Sequence, residues 1–244
     1  MRSLMNLSGL VPIPSDALVT PVTFKVRRRK LRGILQEWDA LEDGKRELTG
    51  EWVVGRRLWR KLQSEWQRNK AGKEKPPDHK NSERIILYVH GGPFSGPDPF
   101  SSLLIYCSGA YFMFDAITHR LITIPLSKYV NARVFCKSSV LSALFALSTP
   151  RLSAINYRLA PETKFPGPLH DVVSSYFRLV DDLQIPPSNI IVAGDSAGGA
   201  LCLALMMYLR DNDYPLPGAA MLLSPWVGKS EAGHPLTKHW ALNE

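Results

Sequence analysis

Ile190-Ile191-Val192-Ala193-Gly194-Asp195-Ser196-Ala197-Gly198-Gly199-Ala200-Leu201-Cys202-Leu203-Ala204-Leu205 is the stretch on which the reading of this chain turns. Four apolar residues, two of them Ile and one Val, suit a buried strand. Then come a glycine-flanked serine and a helix that is apolar nearly all round, as a buried helix is. Strand, sharp turn and helix with a serine at the apex form a nucleophile elbow, in which the turn lifts the hydroxyl clear of the sheet. Glycines on both sides of Ser196 leave room for close backbone approaches that a Cβ would obstruct. The N–H of Ala197 is placed to meet a developing oxyanion. The chemistry implied is acyl transfer through a covalent ester on Ser196.

A bare Gly-x-Ser-x-Gly arises by chance, so the context decides. Upstream, Ile85-Ile86-Leu87-Tyr88-Val89 is a continuous apolar run suited to a strand buried on both faces. It ends in His90-Gly91-Gly92, like the oxyanion-hole loop of lipases and esterases. Between this loop and the elbow lies Asn156-Tyr157-Arg158-Leu159-Ala160-Pro161-Glu162. In this set and this order, residues 85–227 resemble the hormone-sensitive-lipase family of α/β-hydrolases, which includes arylacetamide deacetylase-like and steryl acetyl hydrolase-like esterases. The resemblance implies an α/β-hydrolase fold, a mostly parallel sheet with helices on both faces, acting on carboxylic esters. It implies Ser196 as nucleophile and Gly91, Gly92 and Ala197 as backbone donors to the oxyanion. His90 is implied to shape the loop rather than to act as base. No metal or organic cofactor is expected. Gly-Asp-Ser also occurs in trypsin-like enzymes, but the long apolar helix after Ser196 and the lack of paired cysteines and of a secretory leader speak against that reading.

Two stretches depart from the family pattern. Removing residues 93–109 joins Gly92 to Ala110-Tyr111, the expected continuation. Removing residues 136–153 joins Val134-Phe135 to Ala154-Ile155-Asn156, restoring an uninterrupted strand. Tolerated insertions concentrate at exposed loop tips, whereas both of these fall inside motifs. The expectation is that both are translated introns or gene-model errors, genuine loop insertions being the alternative. Cys136-Lys137-Ser138 and Gly228-Lys229-Ser230 are each compatible with a splice-donor sequence.

In the family an acid and a histidine complete a triad after the strand that Ala219–Trp226 provides. Residues 228–244 are polar and without periodicity, so the C-terminal part of the fold is expected to be missing. His234 and His239 are poor substitutes on such a tail. His170 and Asp171 read as ordinary helix-start residues ahead of Val172, Val173, Tyr176, Phe177 and Val180. His119 reads as structural or surface-lying, and His79 as part of a charged linker. A serine without its base is a weak nucleophile. The function expected is therefore an esterase or lipase-like serine hydrolase, with this chain alone close to inactive. A catalytically dead product, or an interaction or membrane-surface module, is the alternative.

The 244 residues are 45% hydrophobic, enough for one sizeable core. The expected organisation is an N-terminal segment over 1–66, a charged linker over 67–84, the hydrolase core over 85–227 and a tail over 228–244. Residues 51–68 read as a helix carrying Trp52, Trp59, Leu62 and Trp66 on one stripe, as core packing or, by the resemblance, as part of a cap over the acyl pocket. Of three cysteines, Cys107 and Cys136 fall in the departing stretches, and Cys202 is left as a lone buried thiol.

The net charge is +8, and Lys25, Arg27, Arg28, Arg29, Lys30 and Arg32 cluster. Alternation with Val26 and Leu31 favours a solvated strand edge. A peripheral membrane contact is the second reading, and no nucleic-acid module is recognisable. The partner expected is a small-molecule or lipid ester, in a cytoplasmic setting or at the periphery of an internal membrane.

Overall fold

A computed structural model describes residues 15–70, 84–91, 120–130, 132–137, 163 and 165–227. Its centre is the apolar run that precedes His90. Strand β3 (Ile85–Val89) buries all five residues. Ile85, Leu87 and Val89 enter one core, and Ile86 and Tyr88 the other. This two-residue period places alternate side chains on opposite faces of a sheet covered on both sides. Each such aliphatic side chain contributes roughly 1.5–3 kcal/mol of burial, offset in part by lost conformational freedom.

β3 pairs in parallel with β4 (Arg133–Lys137) on one side and β5 (Ile190–Asp195) on the other. β6 (Ala219–Leu223) continues in parallel beyond β5. β2 (Glu47–Gly55) joins β4 antiparallel, and β1 (Ala17–Lys25) joins β2 antiparallel. The order is β1-β2-β4-β3-β5-β6, a mostly parallel sheet in which the two N-terminal strands are full members. Of the helices α1 (Gln36–Ala40), α2 (Arg56–Lys70), α3 (Arg120–Val130), α4 (Gly167–Phe177) and α5 (Ser196–Asp211), α4 and α5 cover one face. Leu169, Val172, Leu201 and Leu205 pack there with Leu87 and Val192. Ile124 of α3 packs on Ile86, Tyr88 and Val134 on the opposite face. Helices thus lie on both faces, as the α/β reading requires.

Several local expectations are corrected. The helix expected over 51–68 starts only at Arg56, because Glu51–Gly55 belongs to β2. Val53 and Val54 favour a pleated surface, and Trp52 stacks against Phe135 at 4.8 Å with Arg133 over its ring. Arg120 holds the buried Glu51 in a two-point ion pair, with Nη2–Oε2 at 2.8 Å. Of the stripe, Trp52 packs against the core from β2, whereas Trp59 and Trp66 of α2 are exposed and Leu58 is that helix's buried anchor. The helix also runs to Lys70, four residues into the expected linker, whose residues 71–83 lie outside the described ones. β4 extends past Phe135 through Cys136 and Lys137, the first residues of the second departing stretch. Residues 93–109, 138–153 and 154–158 lie outside the described ones.

The basic cluster follows β1 as a chain edge. Val26 and Leu31 are buried, and most of the cations face outward. Arg29 bonds Asp181 at 2.8 Å and Asp182 at 3.0 Å, Arg27 reaches Asp182 at 3.4 Å, and Asp39 accepts from the N–H groups of Arg29 and Leu31. Internal acids thus balance part of the charge that a membrane reading had assigned outward.

His170 and Asp171 are not ordinary helix-start residues, for both are fully buried. Arg46 Nη1 donates to Asp171 Oδ1 at 2.6 Å and Arg46 Nε to Glu42 Oε1 at 2.7 Å. His170 Nδ1 lies 3.2 Å from Arg46 Nη2 and 3.6 Å from Glu42 Oε1. Burial works to lower the Arg46 pKa, but Asp171 and Glu42 outweigh it and raise the value. Among the described residues no helix is long and apolar enough to cross a membrane.

Candidate active site

Ser196 stands where β5 becomes α5, with φ +49. A non-glycine residue in the left-handed region is uncommon, and such strain persists where the surrounding structure fixes it. Here β3 fixes it. A Cβ on Gly198 would stand 2.1 Å from the Val89 carbonyl oxygen, and one on Gly194 would stand 2.6 Å from the same atom. Both glycines therefore admit the turn directly onto the end of the central strand. Ser196 is half-buried, and Ala197 follows it in the first turn of α5. There the backbone N–H groups lack intrahelical acceptors and the helix dipole favours negative charge.

The loop after β3 lies against this turn. A Cβ on Gly91 would be 3.2 Å from Ser196 Cβ. His90 is fully buried, and its Nδ1–H donates to the Gly91 carbonyl at 2.6 Å. The Gly91 N–H donates to Asp195 Oδ1 at 3.0 Å, and the Tyr88 hydroxyl donates to the same oxygen at 2.7 Å. Burial first, and then the Asp195 charge, raise the Tyr88 pKa, so the hydroxyl remains a donor. Burial, with a smaller contribution from Asp195, pushes the Cys202 thiol up to about 12.

The Gly91 N–H, expected as an oxyanion donor, is hydrogen-bonded to Asp195 in this arrangement. Gly92 lies outside the described residues, as do His79, His119, His234 and His239. Neither described histidine is arranged as a base for Ser196: His90 turns Nδ1 to the Gly91 carbonyl, and His170 lies among Arg46, Glu42 and Asp171. Tyr88 and Asp195 were missed as site residues. Their signal was an aromatic hydroxyl on the inward alternation of an otherwise aliphatic strand and an acid beside the serine. Among the described residues no group of three or more His, Cys, Asp and Glu side chains is placed to hold a metal ion.

The family model described as alpha/beta hydrolase fold matches residues 103–242, more than half of the chain. The chain belongs to this family. Relatives and structural neighbours match this chain over part of their own length. An acetyl-hydrolase of Streptomyces hygroscopicus is 32% identical over 144 residues, 59% of this chain and 36% of that protein. An esterase of Acinetobacter venetianus is 28% identical over 147 residues, 60% of this chain and 37% of that protein. A crystal structure of an esterase from the bacterial hormone-sensitive lipase family superposes with a TM-score of 0.52 at 23% identity, covering 93% of this chain and 50% of that one. This alpha/beta hydrolase therefore spans between about a third and a half of the length of these proteins.

Proposed function

We propose that Ser196 is the nucleophile of a carboxylic ester hydrolase, a reading carried by its positive φ at the tip of β5 with the His90-Gly91 loop seated against it. Its Oγ adds to the ester carbonyl carbon as its proton passes to a general base. The carbonyl oxygen, now an anion, accepts from the N–H of Ala197 and from that of Gly92. When the tetrahedral centre collapses, the C–O bond to the alcohol breaks, and the alcohol leaves with the proton. Water then cleaves the acyl-enzyme by the same route and restores the hydroxyl. Gly91 enters by holding the loop on Asp195. No cofactor takes part in this sequence. The substrate class is a small-molecule or lipid ester.

Neither described histidine serves Ser196, so turnover depends on residues outside the described ones. Loss of the base in a comparable triad costs on the order of 10⁶ in kcat. Turnover is therefore limited by whether such a base reaches Ser196, and a non-catalytic role is the second reading. A fluorophosphonate probe decides between them. Labelling that disappears in Ser196→Ala supports an assembled nucleophile. If the native, folded chain stays unlabelled at long exposure, the non-catalytic reading stands instead.

A further inference from the structure

Helix α2 has a composition and an orientation that the catalytic reading does not use. It begins directly after Gly55, packs on β1, β2 and α3, and is anchored through the buried Leu58. Its outward side carries Arg56, Arg57, Arg60, Lys61 and Arg68, all exposed. Glu65 is the only acid in the helix, 3.9 Å from Lys61 Nζ. On the same side Trp59 is 40% exposed and Trp66 63% exposed.

Residues three, four and seven apart share a helix face. Arg56, Trp59, Arg60, Gln63 and Trp66 therefore form one continuous row. Arg56, Trp59, Arg60 and Gln63 line a shallow hollow with Leu18 of β1, itself exposed. The neighbouring α3 leaves Leu121 and Tyr129 exposed as well.

Two large, partly exposed indoles beside a row of guanidinium groups do not suit a purely solvated face. Indole rings favour the headgroup level of a bilayer, where the apolar ring is partly desolvated while its N–H stays hydrated. Helices with a cationic polar side and tryptophan on the flank lie in that plane, and anionic lipid adds attraction for each nearby cation. Duplex nucleic acid would satisfy the cations alone and an apolar protein groove the tryptophans alone, while a single strand, whose bases stack on aromatic rings, needs a basic groove that tracks its backbone rather than one convex helix. An anionic bilayer surface satisfies both.

We propose that α2 is a membrane-surface contact that lays Trp59 and Trp66 into the headgroup region of an anionic bilayer, with Arg56 and Arg60 against the lipid phosphates and carboxylates. The contact is peripheral, made by a helix lying flat. It is independent of whether Ser196 turns over. It also relocates the membrane-facing charge, because Arg27 and Arg29 of the basic cluster are bonded to Asp181 and Asp182.

The test uses the whole chain with phosphatidylcholine vesicles, with and without phosphatidylserine, some carrying brominated acyl chains that quench nearby tryptophan. Binding to the mixed vesicles, weak binding to pure phosphatidylcholine and quenching by the brominated chains are expected. Trp59→Phe with Trp66→Phe removes that quenching. Arg56→Gln with Arg60→Gln lowers partitioning by about fivefold per cation, from the usual attraction of one cation near an anionic surface. Arg28→Gln with Lys30→Gln makes the same charge change on the β1 side and leaves partitioning within about twofold of the parent.

Equal losses from the two charge pairs would mean that net charge alone drives binding, which overturns the proposal. So would quenching that survives loss of both tryptophans, or no binding to the mixed vesicles. All six positions are exposed or at the surface, and circular dichroism verifies that each variant keeps the parent fold.

Discussion

Arg46 is the residue whose loss the structure prices most directly. It lies ahead of β2 and reaches across to α4, where its guanidinium meets Asp171 at 2.6 Å and Glu42 at 2.7 Å. Asp171 is fully buried, and the Glu42 side chain is only 7% exposed. Replacing Arg46 with Ala removes a cation from between two carboxylates that lie close together with little water. Breaking a buried pair by removing one partner costs about 3–5 kcal/mol, mostly the penalty of the charge left behind. For a chain of this size each kcal/mol lowers Tm by about 2–4 °C, so a fall of roughly 6–20 °C is expected. Urea titrations of Arg46→Ala, Asp171→Asn and the double variant measure the effect. Asp171→Asn removes the buried charge, so the double variant should be more stable than the sum of the two losses predicts. The expected coupling is about 1–3 kcal/mol, within the range for contacting residues. A loss below about 1 kcal/mol for Arg46→Ala would refute the reasoning, because it would mean that Asp171 is hydrated or paired elsewhere.

At the elbow, Gly198→Ala should lower stability by at least about 1–3 kcal/mol and abolish serine-probe labelling, since its Cβ would stand 2.1 Å from a backbone oxygen; denaturation and labelling read the two effects separately. Tyr88→Phe removes a donor to Asp195, an effect of about 1.5–3 kcal/mol by urea titration if the carboxylate finds no replacement. For Asp182, burial works to raise the pKa, but hydrogen bonds from Arg178 and Arg29 outweigh it and leave the value below 3.8. A depressed folded pKa adds stability above 3.8 that is lost as pH falls through the folded value, so the Tm gap between the parent and Asp182→Asn should narrow below about pH 4. Cys136 and Cys202 are buried, and the Cys202 thiol is pushed up to about 12, so neither should react with iodoacetamide at neutral pH until denaturant opens the fold, as peptide mass spectrometry would show.

The parts of the fold legible in the sequence were those in which one local pattern served one environment. Ile85–Val89 and Ile190–Ala193 read as buried strands and are buried strands, and the apolar run after Ser196 is the helix that covers them. Trp52 was misplaced because tryptophans spaced by seven also fit a helical stripe. Its strand neighbours Val53 and Val54 decided the matter only once β1 and β4 had closed around them. The role of His170 and Asp171 depends on Arg46, 124 and 125 positions away, and helical periodicity carries no information about such a partner. At the site, the serine and its turn were written locally. The brace from Asp195 to Tyr88 and Gly91 joins residues 107 and 104 positions apart. It became visible only when parallel pairing set β3 beside β5.

The atom that limits the elbow is a main-chain oxygen. Val89 presents its carbonyl to both Gly194 and Gly198, and every amino acid at position 89 would present the same one. Where two side chains meet, as Trp52 and Phe135 do, a bulky change on one can be relieved by a smaller residue on the other. At the elbow that exchange is closed. A genetic screen started from a Gly198 substitution should return true revertants, with few or no compensating changes at residue 89. The turn that carries Ser196 is thus held by backbone against backbone, and its tolerance is set by the sheet rather than by the identity of its neighbours.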